Sequence, residues 1–138
     1  MTDTLDALNA LNAAARRTVD AFMECYVQHD AEAVKDLLAE NATFKGVFSG
    51  GLLRGRKDIT AHYRQSFRGV LSKGAVRFPR VEVEGQQVTL YWEVEGPGGG
   101  TLHILQGHSI LVLNQDSLIQ SIETVWDPKT VLAWKISE

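Results

Sequence analysis

The order of elements constrains this chain most. Helical patterning fills its first half and strand patterning its second. Apolar residues spaced by three and four predict helices over about 5–28, 31–40 and 57–71. Alternation bounded by turn residues predicts antiparallel strands over about 75–84, 87–96, 101–114 and 118–127. The last strand closes on Ile122-Glu123-Thr124-Val125-Trp126-Asp127. Helices followed by a meander imply an α+β fold. The expected form is three N-terminal helices packed in the concave face of a strongly curved antiparallel sheet. That is a cone with an apolar pocket, built by residues 1–138 as one domain.

The individual stretches support this order. Leu5, Leu8, Leu11, Ala15, Val19, Phe22, Met23, Tyr26 and Val27 form one stripe, which Asn9 and Asn12 weaken at its start. Asp30 suits the N-cap of the second helix, and Glu32 its positive end. Val34, Leu37 and Leu38 are its expected buried face, with Asn41 as its stop. Thr43, Phe44, Val47, Phe48, Leu52 and Leu53 favour a short hairpin turning at Gly50-Gly51. Ile59, His62 or Tyr63, Phe67 and Val70 or Leu71 stripe the third helix, with Tyr63 chosen as the inward one, and Gly74 ends it. Gly96-Pro97-Gly98-Gly99-Gly100 marks a loop, and Asn114-Gln115-Asp116-Ser117 the last turn.

In the 88–94 strand, Val88, Leu90, Trp92 and Val94 alternate with Thr89, Tyr91 and Glu93, so one face is buried. The next strand has two largely apolar faces. His103, Leu105, Gly107, Ser109, Leu111 and Leu113 form one of them. Leu102, Ile104, Gln106, His108, Ile110 and Val112 form the other. A meander strand with one solvated face should alternate. The economical cover for the second face is another copy of the chain, a homodimer through the back of the sheet.

Charge and composition exclude several classes. A formal charge of −3 argues against a general nucleic-acid binder. No apolar run reaches the roughly 20 residues of a membrane span. No basic region followed by an apolar stretch opens the sequence, so a cytoplasmic protein without a secretory signal is expected. The lone Cys25 cannot make an intramolecular disulfide and reads as a buried thiol. His29, His62, His103 and His108 show no metal-ligand spacing, and no glycine fingerprint for a cofactor phosphate is present. Neither a metal nor a cofactor is expected. Between Arg54 and Arg80, eight basic residues face only Asp58. They form either a solvated surface or a positive rim that attracts an anionic ligand.

Three stretches carry a resemblance: Tyr26–Phe44 (YVQHDAEAVKDLLAENATF), Gly55–Phe67 (GRKDITAHYRQSF) and Gly107–Asp127 (GHSILVLNQDSLIQSIETVWD). The chain resembles the nuclear-transport-factor-2-like superfamily, which includes ketosteroid isomerase, scytalone dehydratase and the SnoaL-like polyketide cyclases. The resemblance implies the cone fold and dimers, and it leaves the activity open. The isomerase base position falls at Gly46, its oxyanion-hole tyrosine at Phe22, and its protonated acid at Ser109. None of the three supplies the required group, so that chemistry is not expected. Tyr63 matches a pocket tyrosine and Trp126 an apolar wall. Asp127 resembles the strand ending of the SnoaL-like cyclases, whose pocket histidine falls at Ser109, one residue from His108.

These readings give a candidate site. Tyr63, His103 and Asp127 are the catalytic candidates. Tyr63 is a donor, aided by Tyr26, and His103 or Asp127 is a proton acceptor. Tyr26, Phe44, Trp92, Leu105, Ser109 and Trp126 are the ligand-binding candidates. Two indoles in a curved sheet serve either as core or as a flat wall for a ring. The expected partner is a small apolar or aromatic ligand. The protein is then a small-molecule binder, or a cofactor-free lyase, cyclase or isomerase acting on a cyclic or polyketide-like substrate. The alternative is a non-catalytic dimerisation or ligand-sensing domain.

Overall fold

The structure, a computed structural model, describes residues 3–46, 51–68, 75–95 and 104–127. Helix α1 (Asp3–Asn9) and helix α2 (Ala13–Gln28) replace the single expected first helix. The break has a local cause. Asn12 is extended at φ −67° and ψ 166°, and its side chain accepts the Ala15 N–H at 2.8 Å. That is an N-cap, which restarts a helix where the stripe alone predicted continuity. Helix α2 stops at His29, which turns left-handed at φ 55°. Asp30 then caps the short helix α3 (Ala31–Lys35) by accepting the Ala33 N–H at 3.1 Å.

The expected second helix ends early because strand β1 (Leu38–Gly46) begins three residues after α3. Leu38 and its successors take a parallel partner, strand β6 (Ile119–Trp126), at the registers Leu38↔Ile119 and Phe44↔Ile122. Backbone pairing in a sheet outweighs a weak helical preference over so few residues. Strand β2 (Gly51–Arg54) adds to the other edge of β1, and helix α4 (Arg56–Arg68) follows it. Strands β3 (Ala75–Glu84), β4 (Gln87–Glu95) and β5 (Ile104–Leu113) complete a sheet of order β2-β1-β6-β5-β4-β3. The expected meander is therefore present as β3 to β6, each antiparallel to the next.

The ladder of β3 against β4 is irregular between Arg77 and Arg80, at Pro79. Proline cannot donate to a ladder, so it sits on an edge strand where a bulge bends the sheet. The concave face carries Phe44 of β1, Leu90 and Trp92 of β4, Leu111 of β5 and Ile122 of β6, all buried. Helices α2 and α4 lay Val19, Phe22, Tyr26, Ile59, Tyr63 and Phe67 over that face, and all six are buried. Thr18 ties α2 to the β5–β6 turn by donating to the Ser117 carbonyl at 2.6 Å. The Asn114 side chain holds that turn by accepting from the Asp116 and Leu118 N–H groups. On the convex face, Val112 is 36% and Val125 38% exposed, while Ile110 is half-buried between them.

Candidate functional site

Helix α2 presents Phe22 and Tyr26 one turn apart, and α4 presents Tyr63 and Phe67 one turn apart. The two pairs interlock edge to face. The Tyr26 and Tyr63 rings are 5.7 Å apart at 78°, and Tyr26 and Phe67 are 5.4 Å apart at 81°. Phe44 approaches from the sheet at 5.5 Å from Tyr63, and Phe78 approaches Tyr26 at 5.9 Å. Edge-to-face packing sets ring hydrogens against ring faces and adds to plain burial.

Into this aromatic lining the fold inserts a polar chain. Tyr26 donates to the Tyr63 hydroxyl at 3.0 Å. Ser109 of β5 is a further hydrogen-bond partner of Tyr26. Trp92 Nε1 donates to Ser109 Oγ at 3.1 Å, and Ser109 Oγ lies 3.3 Å from Thr124 Oγ1 on β6. The sheet register explains the meeting. Leu90↔Ser109 and Ser109↔Thr124 are paired positions, so the Ser109 side chain stands between β4 and β6 on the concave face. Burial pushes the Tyr26 pKa up to about 12, partly offset by its hydrogen bonds to Tyr63 and Ser109. Burial first, and then the Tyr26 hydroxyl, hold Tyr63 well above the usual tyrosine range. Both phenols are therefore protonated donors at neutral pH.

The indoles of Trp92 and Trp126 meet at 4.7 Å and 74°. Gly107 makes room for them. A Cβ there would stand 2.4 Å from the Val125 carbonyl oxygen and 2.6 Å from Trp92 Cζ2. An isolated glycine inside an apolar strand was the available signal for this close approach. Beside it runs a groove of about 440 Å³ lined by Tyr91, Glu93, His108 and Asp127, together with both indoles.

The expected site residues fall into three groups. Tyr26, Tyr63, Phe44, Trp92, Ser109 and Trp126 are all buried on or against the concave face. Asp127 is half-buried at the end of β6 and lines the groove, its N–H donating to the Gln106 carbonyl at 2.9 Å. His103 lies outside the described residues, as does the Leu105 side chain, although Leu105 pairs in register with Val94. The Gly96–Gly100 loop and the turn at Gly50 also lie outside them. Thr124 and Phe67, which sequence reasoning did not select as site residues, join the polar chain and the aromatic lining.

The other titratable groups play smaller parts. His62 is half-buried with its ring 4.5 Å from Phe44, and burial lowers its pKa. Burial, with the Asp30 charge behind it, raises the Cys25 thiol to about 11, so it is an inert core group as expected. The basic segment is partly neutralised by acidic partners. Arg64 pairs with Glu32, Arg77 with Glu93 at 3.7 Å, and Arg80 with Glu82. Among the described residues, no group of histidine, cysteine and acidic side chains has the arrangement of a metal site. No helix there is long and apolar enough to cross a membrane.

A bent, mainly antiparallel sheet closed over helices is the cystatin-like cone that nuclear-transport-factor-2-like proteins share. The chain belongs to the SnoaL-like domain family, whose profile matches residues 19–122. An uncharacterised bacterial protein with a cystatin-like fold from Silicibacter pomeroyi is 25% identical, with a TM-score of 0.68 over 87% of this chain and 81% of that one. A steroid delta-isomerase from Pseudomonas aeruginosa superposes with a TM-score of 0.71 at 18% identity, over 91% of this chain and 89% of its own. An LEH-like epoxide hydrolase of M. tuberculosis reaches a TM-score of 0.68 at 16% identity, over 90% of both chains. No curated protein sequence matches the chain. At these identities the isomerase and hydrolase likenesses concern the fold. The positions expected to lack the isomerase groups are apolar or neutral in place. Phe22 packs edge-on to Tyr63, Ser109 joins the polar chain, and a Cβ on Gly46 would be 3.0 Å from the Phe44 ring.

Proposed function

We propose that the interior of the cone binds one small, largely apolar cyclic molecule, set between the tyrosine pair and the indole-bearing sheet. The observation that carries this is the buried Tyr26–Tyr63 hydroxyl pair at the centre of an otherwise aromatic lining. A few convergent polar atoms in an apolar surround are what small-molecule sites use to orient a ligand. Binding is favoured over a cofactor-free lyase, cyclase or isomerase reaction because proton abstraction needs a base. Among the described residues, no buried side chain is a carboxylate. The catalytic version would use Asp127 or His103 as that base, with Tyr63 as donor. Replacing His103 and Asp127 together leaves binding intact on the reading preferred here.

Binding is tested by thermal denaturation with a panel of cyclic ketones, arenes and polyketide-like rings. A ligand at a hundred times its dissociation constant adds about 2.7 kcal/mol of stability. The reading predicts concentration-dependent stabilisation by at least one ring class, and none by open-chain polar controls. A flat response across the panel refutes it. A neutral ligand also predicts affinity indifferent to salt, whereas recruitment by the Arg54–Arg80 segment predicts weakening as salt rises.

A second copy of the chain is proposed on the convex face. Its support is the exposed Val112 and Val125 flanking half-buried Ile110. The single buried Cys25 suits a reducing, cytoplasmic setting.

A further inference from the structure

A second hollow lies where the junction of α2 and α3 faces the end of α4. The left-handed turn at His29 ends α2, and the chain then runs into α3, which packs against α4. The ion pair of Arg64 with Glu32 ties α3 to α4. Between these elements is a cavity of about 490 Å³, within the roughly 300–1,000 Å³ that small-molecule sites occupy. Its apolar floor comes from Phe67 and Ala31, both buried. The His29 ring stands edge-on to Phe67 at 5.8 Å and 90°.

Two arginines and two carboxylates line this cavity. Arg64 and Glu32 neutralise each other. The other two charges stay apart. Arg68 on α4 and Asp30 at the start of α3 form no ion pair, with each other or with any other described residue. Asp30 accepts the Ala33 N–H through Oδ1, which leaves its second carboxylate oxygen uncommitted among the described residues. The Arg68 guanidinium keeps its whole fork of donors there. An exposed charge in water needs no partner, so neither residue alone marks a site. Their joint placement does. A cation and an anion share one cavity around an apolar floor, and neither reaches the other.

We infer that this cavity binds a zwitterion, a free amino acid with an apolar side chain. Its carboxylate meets Arg68, whose planar guanidinium suits a two-pronged hydrogen bond to a carboxylate. Its ammonium meets the uncommitted oxygen of Asp30. Its side chain lies over Phe67 and Ala31, beside the His29 ring. A simple anion would set a like charge against Asp30, and a simple amine would do the same to Arg68. Only a ligand carrying both signs satisfies both walls. The site is separate from the tyrosine pair, and it stands whether or not the interior takes a ligand.

The test compares phenylalanine with 3-phenylpropionate, which lacks the ammonium, and with 2-phenylethylamine, which lacks the carboxylate. Chemical-shift titration of the full-length protein should show phenylalanine binding about fivefold more tightly than either, the worth of an exposed ion pair near the top of its usual range. Glycine, without a side chain for the floor, should bind more weakly than phenylalanine. Arg68→Gln should bring phenylalanine down to 2-phenylethylamine, and Asp30→Asn should bring it down to 3-phenylpropionate. Asparagine still caps α3, so the second variant keeps the fold. Arg54→Gln, outside the cavity, should change nothing. A single-charge probe or glycine that binds as tightly as phenylalanine overturns the assignment. So do preferences that survive both variants. If no probe binds, the cavity is a solvated surface, and the reading of the interior is untouched.

Discussion

Ser109→Ala removes the junction of the polar chain while changing little volume. The Trp92 N–H loses its acceptor, Thr124 loses its neighbour at 3.3 Å, and Tyr26 keeps only Tyr63. A buried polar group left without its partner costs about 1–3 kcal/mol. The indole N–H bears that cost in full, because Ser109 is 0% and Trp92 3% exposed and water cannot replace the hydroxyl without rearrangement. Thr124 can turn its hydroxyl elsewhere, so its share is smaller. The expected loss is about 2–4 kcal/mol, which for a chain of this size lowers Tm by roughly 10 °C. Urea denaturation followed by tryptophan fluorescence measures it, with Ser121→Ala, half-buried on the opposite face of β6, as the control expected within about 0.5 kcal/mol. If Ser109→Ala is as stable as its control, Ser109 is not the hub described here.

Gly107→Ala should destabilise by about 1–3 kcal/mol or more, since its methyl would collide with Trp92 and the Val125 carbonyl; near-UV circular dichroism should show the indole pair disturbed. Asn12→Ala should cost about 1 kcal/mol in the same urea assay by removing the cap of α2. Alkaline pH supplies another check. Burial raises the folded pKa of Tyr26 to about 12 from the ordinary tyrosine value of 10.0, so its contribution is complete below pH 10 and disappears as pH rises toward 12. Stability should therefore decline across that window while tyrosinate absorbance lags behind that of the unfolded chain. Sedimentation at micromolar concentration should give a dimer, and a monomer near 15.3 kDa would remove the second copy from the convex face.

The parts of this fold legible in the sequence are those set by periodicity. Alternation placed Val88, Leu90, Trp92 and Val94 on one buried face, and all four are in the core. Spacing by three and four left His62 and Tyr63 as alternatives at one stripe position, and Tyr63, the one chosen, is buried. What periodicity could not convey is competition. Val34, Leu37 and Leu38 fit a helix, but Leu38 is claimed by a strand 81 positions later, at Ile119, and no local pattern reveals that partner. Asn12 was visible as a weak point, whereas its role as a cap depended on its backbone geometry. The polar chain was the least legible feature. Its members are 15 to 83 positions apart where they meet, and a serine among leucines carries no local sign of being a junction. Ser109 entered the candidate list through a match of position. Its chemical role followed only from the register that sets it between Leu90 and Thr124, within reach of the Trp92 indole.

An electron-density map of crystals grown with the most stabilising ring of the thermal-denaturation panel puts the proposed ligand in view. The account predicts that ring in the cone interior, beside the Tyr26–Tyr63 hydroxyl pair. An interior closed by the protein's own side chains, with the ring absent or seated only in the groove beside Asp127, would contradict it.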